Sequence, residues 1–276
     1  MNNTTLRPTY YNIADAVTAF STTRHGGTGK GNYASFNINP YCGDSADDIA
    51  ANRLLLAEEL GVADGRILLP HQTHGIETRI IGDEFLALPE NVRTMLLEGV
   101  DALLTDVSGV CIGVSTADCI PVLLYDEAHH AVAAIHAGWR GTLARIVSKT
   151  IVDMRLAFHS DPKLLKAVIG PGISQKNFEV GDEVYEAFEQ AAFPMDAIAV
   201  QEIKRNPDAK DPSLAFEKKW HLDLPLCNRQ QLMQAGIAEE NILQNPSCTY
   251  DDTDNYFSAR RLGTESGRIY TGIVLR

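Results

Sequence analysis

Short apolar runs rich in β-branched residues constrain this sequence more than any other feature. Several of them, such as 110–115 and 131–136, are apolar at successive rather than alternate positions. Strands that do not alternate are usually covered on both faces, so the pattern predicts a layered protein with sheet inside and helices outside. The predicted strands are 67–69, 76–81, 102–105, 110–115, 122–125, 131–136, 165–169 and 268–275.

Four amphipathic or capped segments predict helices. The first, 47–60, follows a possible N-cap at Ser45 and stops at Gly61. The others are 142–158, 182–192 and 224–235, and the charged segments 82–91 and 201–220 are predicted to be surface connections.

The order of helices and strands is too irregular for a doubly wound fold. No change of composition marks a boundary, which predicts one domain over residues 1–276.

Composition excludes several classes of function. With 24 Lys and Arg against 36 Asp and Glu, the net charge of −12 opposes binding to nucleic acid. The apolar stretch 110–125 is interrupted by polar residues and is shorter than the roughly 20 residues that span a bilayer, which predicts no membrane segment. The N-terminal segment has no export signal, and five cysteines without a CxxC pair do not suggest a disulfide framework. We therefore expect a cytoplasmic protein.

Residues able to bind metal or act as nucleophiles lie at the ends of predicted strands. His74 follows Gln72 just before one strand, Cys119 follows Asp118 after another, and His136 ends a third. Each of them alone also has a structural explanation, as a hydrogen-bonded histidine or a buried cysteine. If they converge, two imidazoles and a thiolate suit Zn²⁺ and leave a fourth coordination position open, as in catalytic zinc sites.

Three arginines lie in segments that suggest anion or substrate binding. Arg140 lies where glycines lead from a strand into a helix, and it either grips a phosphate or pairs with a surface acid. Arg24 belongs to a glycine-rich segment that also contains Asn37 and aromatic rings, so this segment is either a turn or a substrate-binding loop. Near the C-terminus, Arg260 follows Phe257, so an arginine again lies close in sequence to an aromatic residue.

At these residues the sequence resembles the YfiH/YlmD family, whose members are also called laccase-domain proteins, multicopper polyphenol oxidases, peptidoglycan editing factors and, more recently, purine nucleoside phosphorylases. The resemblance covers nearly the whole chain, and the pairing of TADC with HAGWRG is its most specific part. The shared motifs are TTRHGG at 22–27, SFNI at 35–38, AANR at 50–53, QTHG at 72–75, DALLTD at 101–106, TADCIPVLL at 116–124, HAGWRG at 136–141, IGPGIS at 169–174, FEVGDEV at 178–184, HLDL at 221–224 and FSARR at 257–261.

The resemblance implies an α+β fold, a single-domain four-layer αββα sandwich related to Cys/His hydrolase-like folds. It also implies His74, Cys119 and His136 as ligands of Zn²⁺, with copper as the alternative metal. The implied reactions are phosphorolysis of adenosine, inosine, guanosine and methylthioadenosine, and deamination of adenosine. The partners would be purine nucleosides and phosphate, acting on a monomer or homodimer.

Residue roles follow from the same resemblance. Arg24, Arg140 or Arg260 would hold phosphate, and Asn37 and Gln72 are further candidates for binding substrate. Apart from the resemblance, Asp118 is the first candidate for moving a proton during deamination, because it is adjacent to Cys119, and Asp223 in the HLDL motif is another candidate.

Other classes of function remain open. Cys119 could serve as a nucleophile activated by His136, or the metal could support an amidase acting on cell-wall precursors. A non-catalytic metal-dependent partner protein is a third class. A copper polyphenol oxidase of the laccase type is disfavoured, because eight histidines without an HxH pair cannot supply a blue-copper site and a trinuclear cluster.

Overall fold

The structure is a computed structural model that describes residues 5–205 and 216–276. Its strands are β1 (Thr9–Tyr11), β2 (Val17–Ser21), β3 (Ile67–Leu68), β4 (Thr78–Ile80), β5 (Ala102–Thr105), β6 (Cys111–Thr116), β7 (Ile120–Asp126), β8 (Ala131–Ala137), β9 (Leu165–Ile169), β10 (Glu179–Val180), β11 (Ala199–Arg205), β12 (Phe216–Leu222), β13 (Ile242–Gln244) and β14 (Ile269–Leu275). Its α-helices are α1 (Ala46–Leu60), α2 (Asp83–Leu86), α3 (Glu90–Leu96), α4 (Trp139–Leu143), α5 (Ile146–Phe158), α6 (Asp182–Gln190), α7 (Met195–Ile198), α8 (Leu224–Gln234) and α9 (Ala259–Leu262).

Two large sheets pack face to face and are covered by helices on their outer faces. One has the strand order β13-β9-β7-β8-β5-β4 and the other β1-β2-β14-β6-β3; β10, β12 and β11 form a third, small sheet. The first large sheet packs its outer face against α5 and α8, and the second packs its outer face against α1. This arrangement confirms the predicted α+β fold with four layers, αββα.

Strand β7 shows why the buried strands do not alternate between apolar and polar residues. Val122 and Leu124 point to the helices α5 and α8, whereas Leu123 and Tyr125 point to the opposing sheet. Both faces of the strand are therefore buried in apolar surroundings, and each position favours an apolar side chain.

The predicted first helix is confirmed with its caps. The Ser45 hydroxyl accepts the backbone N–H of Asp48 at 3.4 Å, and Gly61 ends the helix in the left-handed conformation at φ 63°. The predicted helix 142–158 is wrong at its start, because α4 and α5 are separated by a break at Arg145, where φ is 61°. Both helices face the same sheet, so their apolar spacing continues across the break.

Both predicted surface connections contain regular structure. The segment 82–91 contains α2 and the start of α3. The segment 201–220 contains most of the hairpin pair β11 and β12, while 206–215 lie outside the described residues. The hairpin strands were missed because most of their side chains are charged or exposed, so the burial pattern that marks a core strand is lacking. Within the described ranges, no helix has the length and apolarity needed to cross a membrane.

Candidate functional site

Three neighbouring strands of the six-stranded sheet bring distant parts of the chain together. Strand β8 lies between β5 and β7 and runs antiparallel to both, with His136 opposite Pro121 and Ile135 opposite Ala102. The C-terminal end of β8 therefore meets the starts of its two neighbours. His136 lies on β8, Cys119 immediately precedes β7, and Asp101 immediately precedes β5.

The segment that carries His74 is held at this sheet edge by Asp101. The Asp101 carboxylate is fully buried and accepts the backbone N–H groups of Thr73, His74 and Gly75 at 3.3, 3.0 and 2.7 Å. It also contacts Nδ1 of His136 at 2.7 Å. One carboxylate therefore fixes the turn that carries His74, whose φ is 64°, and orients the ring of His136.

His74, Cys119 and His136 converge. One ligand atom from each lies within 4.8 Å of the others, which is close enough for all three to share one ion. The two imidazole rings meet edge to face, with their centroids 4.8 Å apart. His136 is buried, Cys119 is partly exposed and His74 is exposed, so the group is accessible from one side.

Gly138 leaves the space in which the three side chains meet. A Cβ atom at this position would lie 2.9 Å from Cδ2 of His74, 3.0 Å from Sγ of Cys119 and 3.7 Å from Cε1 of His136. The first two distances are well below the roughly 3.5 Å of ordinary carbon contacts. The glycine of the HAGWRG segment is therefore required by close approach, since its φ of −68° is open to any residue.

The charges in this group favour a thiolate facing imidazole. Burial alone raises the pKa of the Cys119 thiol, but the positive charge and hydrogen bond of His136, and then those of His74, outweigh burial and lower it. Burial likewise lowers the pKa of His136, while the Cys119 thiolate and Asp101 raise it above its ordinary value. Thiolates bind metal ions more readily than thiols, so Cys119 is prepared as a ligand.

The donor set fits one borderline-soft divalent ion. Two imidazole nitrogens and one thiolate sulfur are typical zinc ligands, and three protein ligands leave one of four positions open to a substrate or water. The carboxylate behind His136 also fits, because metal-binding histidines usually donate their second N–H to such a partner. The His-Cys-His group could thus hold a metal ion, both by its geometry and by the chemistry of its donors.

A cavity of about 310 Å³ opens from this group. Its walls include His74, Cys119 and His136 together with Tyr41, Cys42, His71, Gln72, Thr264 and Arg268. The rings of Tyr41 and His71 stack with their centroids 4.1 Å apart and their planes 22° apart. Among the residues that the structure describes, no aspartate or glutamate lines this cavity.

The structure places the three arginines named from sequence outside the described cavity lining. The Arg24 guanidinium donates to the carbonyl oxygens of Ala34 and Thr253 at 2.8 and 2.7 Å. Arg140 is exposed and lies over the ring of its neighbour Trp139. Arg260 donates to the carbonyl oxygen of Glu179 at 3.0 Å.

Asp118, Gln72 and Asn37 are occupied by contacts within the protein. The Asp118 carboxylate accepts the Thr249 hydroxyl and the Arg260 backbone N–H, each at 2.7 Å. Gln72 lines the cavity while its side-chain amide exchanges two hydrogen bonds with the backbone of Ser115. Asn37 is fully buried and lies behind the wall rather than among the lining residues.

Comparison with known proteins identifies the family. A sequence profile described as multi-copper polyphenol oxidoreductase laccase matches residues 18–276. The chain belongs to this laccase family. A "Purine nucleoside phosphorylase" of Bacteroides thetaiotaomicron is 43% identical over 94% of this chain and 92% of that protein. "Adenosine deaminase RL5", from an unknown prokaryotic organism, is 42% identical over 94% of both chains.

Solved structures agree with this laccase-family assignment. The crystal structure of YlmD from Geobacillus stearothermophilus superposes with a TM-score of 0.82 at 29% identity, covering 96% of this chain and 94% of that one. A Bacillus licheniformis protein titled YfiH gives a TM-score of 0.81 at 28% identity, over 94% and 93% of the two chains. The resemblance to YfiH and YlmD seen in the sequence motifs is therefore confirmed.

The name of the family implies several copper ions, and the described residues of this laccase-family chain do not supply their ligands. In the described ranges, His74, Cys119 and His136 are the one group of three such side chains close enough to share an ion. Other histidines have protein partners: His71 contacts Glu98, and His129 contacts Asp126. A multinuclear copper cluster has no ligand set in this part of the chain.

Sequence reasoning missed four features of the site: Asp101, Gly138, Arg268 and the stacked pair of Tyr41 and His71. Asp101 was visible only as the first residue of the DALLTD motif, and its position just before a buried strand was the available signal. Gly138 had a signal in its place between His136 and a helix. Nothing local to Arg268 or Tyr41 sets them apart from surface residues.

Proposed function

We propose that this chain is a purine nucleoside phosphorylase. Its substrates would be a purine nucleoside and inorganic phosphate, and its products the free base and ribose 1-phosphate. The observation that carries the proposal is the cavity itself, which joins a metal-binding group to an exposed aromatic pair and, in the described chain, contains no carboxylate. Relatives with this activity in their names match over most of both chains.

Among the described residues, no carboxylate lines the cavity, and this favours phosphorolysis over deamination. Phosphate arrives already ionised, so its attack on C1′ needs binding and orientation more than it needs a protein base. Deamination needs proton transfers to and from a water molecule, which zinc deaminases assign to a glutamate. The nearby carboxylates Asp101 and Asp118 are engaged by hydrogen bonds from the protein.

We propose Zn²⁺ as the metal, held by His74, Cys119 and His136. When bound, it supplies a Lewis acid that polarises an oxygen of the substrate. The protein's own residues orient this group: Asp101 fixes His136 and the turn of His74, and Gly138 keeps the space clear. The purine base would stack on Tyr41, a residue that is 42% exposed and whose ring stacks on His71.

The proposal predicts phosphate-dependent cleavage that requires the metal. Purified protein with adenosine and phosphate should yield adenine and ribose 1-phosphate, measured by chromatography, and omission of phosphate should stop adenine formation. Removal of the metal by a chelator should abolish turnover, and added Zn²⁺ should restore it, because the ligand group is otherwise an incomplete site. Adenine with free ribose at the same rate without phosphate would instead indicate a hydrolase.

Adenosine deamination is the second candidate function, favoured by the 42% identity with the relative named adenosine deaminase RL5. The same cavity would present the purine ring to the metal site. The expected product is inosine with ammonia, formed without phosphate. The two reactions are therefore separable in one assay, by following inosine and adenine together while the phosphate concentration is varied.

Tyr41 provides a test of where the base binds. Replacing Tyr41 with alanine should raise the KM for adenosine by about 2- to 13-fold, because an aromatic stacking contact contributes about 0.5–1.5 kcal/mol. Tyr41→Phe, which keeps the ring, should retain the wild-type KM. Initial rates at saturating phosphate measure both variants. An unchanged adenosine KM in the alanine variant would show that the base lies elsewhere.

We also propose that residues 1–276 form one domain, since the two large sheets share one buried cluster that contains Leu103, Leu123, Ile112 and Ile273. The other sequence-based assignments, with Arg24, Arg140 and Arg260 at phosphate and Cys119 as a nucleophile, stay predictions. A cytoplasmic location and a monomeric or dimeric state stay predictions as well.

A further inference from the structure

Arg268 is the one lysine or arginine among the described residues lining the cavity that contains His74, Cys119 and His136. It lies at the start of β14, on the connection from α9, and faces the same space as Cys42 and Thr264. Among the described lining residues, Arg268 therefore supplies the permanent side-chain charge that a doubly charged oxyanion entering this cavity would meet.

The Arg268 guanidinium is held in place without being neutralised. Its Nη1 donates to the carbonyl oxygens of Ser266 and Gly267, and its Nη2 donates to that of Thr264 at 2.9 Å. In residues 5–205 and 216–276, no carboxylate oxygen lies within 4.0 Å of it. Carbonyl oxygens fix the orientation of a guanidinium but leave its full charge available to an anion.

A buried asparagine fixes the backbone of this arginine. The Arg268 N–H donates to Oδ1 of Asn37 at 3.1 Å, and the same oxygen accepts the N–H of Asn39. Nδ2 of Asn37 donates to Asp44 at 2.8 Å, which anchors the amide from the other side. Asn37 therefore acts from behind the cavity wall as a positioning residue, and Arg268 presents the charge.

We propose that Arg268 binds the phosphate substrate, an inference that rests on the proposed phosphorylase function. In the reaction, a phosphate oxygen forms a bond to C1′ while the C1′–N9 bond breaks. The bonding electrons leave with the purine, and the hydroxyl proton of the phosphate ends on a purine nitrogen. Arg268 holds the phosphate oxygens that do not react, and the planar guanidinium suits this role better than a point charge.

The test is a comparison of Arg268→Gln with Arg155→Gln, which removes the same charge from an exposed position on α5. We expect the glutamine at 268 to raise the KM for phosphate by about 10- to 100-fold, as loss of charge-assisted hydrogen bonds does. The KM for adenosine should stay within about twofold of wild type. Arg155→Gln should keep both values.

A second readout does not depend on turnover. Inorganic phosphate alone should raise the thermal unfolding midpoint of the wild type and of Arg155→Gln, and should shift that of Arg268→Gln much less. Arg268→Lys keeps the charge near the Thr264 to Gly267 loop. It provides a second test of the proposal if the glutamine variant does not fold. Because the lysine lacks the planar fork, its phosphate KM should rise several-fold.

The outcomes separate the inference from the function on which it rests. A wild type that forms ribose 1-phosphate while both Arg268 variants keep the wild-type phosphate KM overturns the role of Arg268 and leaves the phosphorylase intact. A wild type that forms no phosphate-dependent product overturns the proposed function, and with it this inference.

Discussion

A single methyl group at position 138 should empty the metal site. In Gly138→Ala, the new Cβ would lie 2.9 Å from the His74 ring and 3.0 Å from the Cys119 sulfur, so the two ligands must separate. Displacement of reacting groups by about 1 Å costs on the order of 100-fold in rate, and we expect at least that loss in turnover. The metal content of the purified protein should fall in parallel, as measured by mass spectrometry.

The fold itself should survive this substitution. The φ of Gly138 is −68°, which alanine adopts freely, and the His74 side chain is exposed and can swing outward. Overpacking of this kind costs about 1–3 kcal/mol in the free energy of unfolding. Gly65→Ala is the matched control, because a Cβ there meets nothing within 4 Å. Full metal content and wild-type turnover in Gly138→Ala would mean that the three side chains do not form the working site.

Gly138 also shows what the sequence allowed one to predict and what it did not. The three ligands were named from their residue types and motifs, because nitrogen and sulfur donors beside glycine are locally recognisable. Their convergence depends on β5, β8 and β7 being neighbours, and strand order is a property of the whole sheet. The position of Gly138 between His136 and a helix was a local signal, but the reason why a glycine is required there follows only from that convergence.

The errors in the predicted elements have the same origin. Apolar spacing predicted one helix over 142–158, because Leu143, Ile146 and Met154 all pack toward the same sheet. The left-handed turn at Arg145 changes the backbone without changing which face is buried. Strand β11 was not predicted, because its mostly exposed side chains lack the apolar pattern of a buried strand. Its hydrogen bonding to β12 defines it as a strand.

Asp101 is the residue on which the arrangement of the ligands depends most. Its carboxylate accepts three backbone N–H groups from residues 73–75, with donor distances of 2.7–3.3 Å, and it contacts Nδ1 of His136. Burial by itself raises the pKa of this carboxyl, yet the hydrogen bond and charge of His136 and the N–H groups of Gly75 and Thr73 hold it below its ordinary value. The group is therefore a buried carboxylate whose charge its donors stabilise.

Replacing Asp101 with asparagine should weaken both the metal site and the fold. Asparagine offers one acceptor oxygen, and its NH₂ group would face donors. At least one N–H group that now donates to Asp101 would therefore lose its partner, at a cost of about 1–3 kcal/mol. Without the carboxylate, His136 and the turn that carries His74 are no longer held in fixed positions relative to each other. Loss of such a partner typically lowers metal affinity by about 10- to 100-fold.

Two measurements on Asp101→Asn separate these effects. Chemical unfolding of the metal-free protein reports the loss of fold stability, and competition with a chromophoric chelator reports zinc affinity. The matched control is Asp106→Asn, at an exposed position five residues along the same segment. A variant that is destabilised but binds zinc as tightly as wild type would assign Asp101 to the fold alone. Wild-type stability together with wild-type affinity would contradict both roles of this fully buried carboxylate.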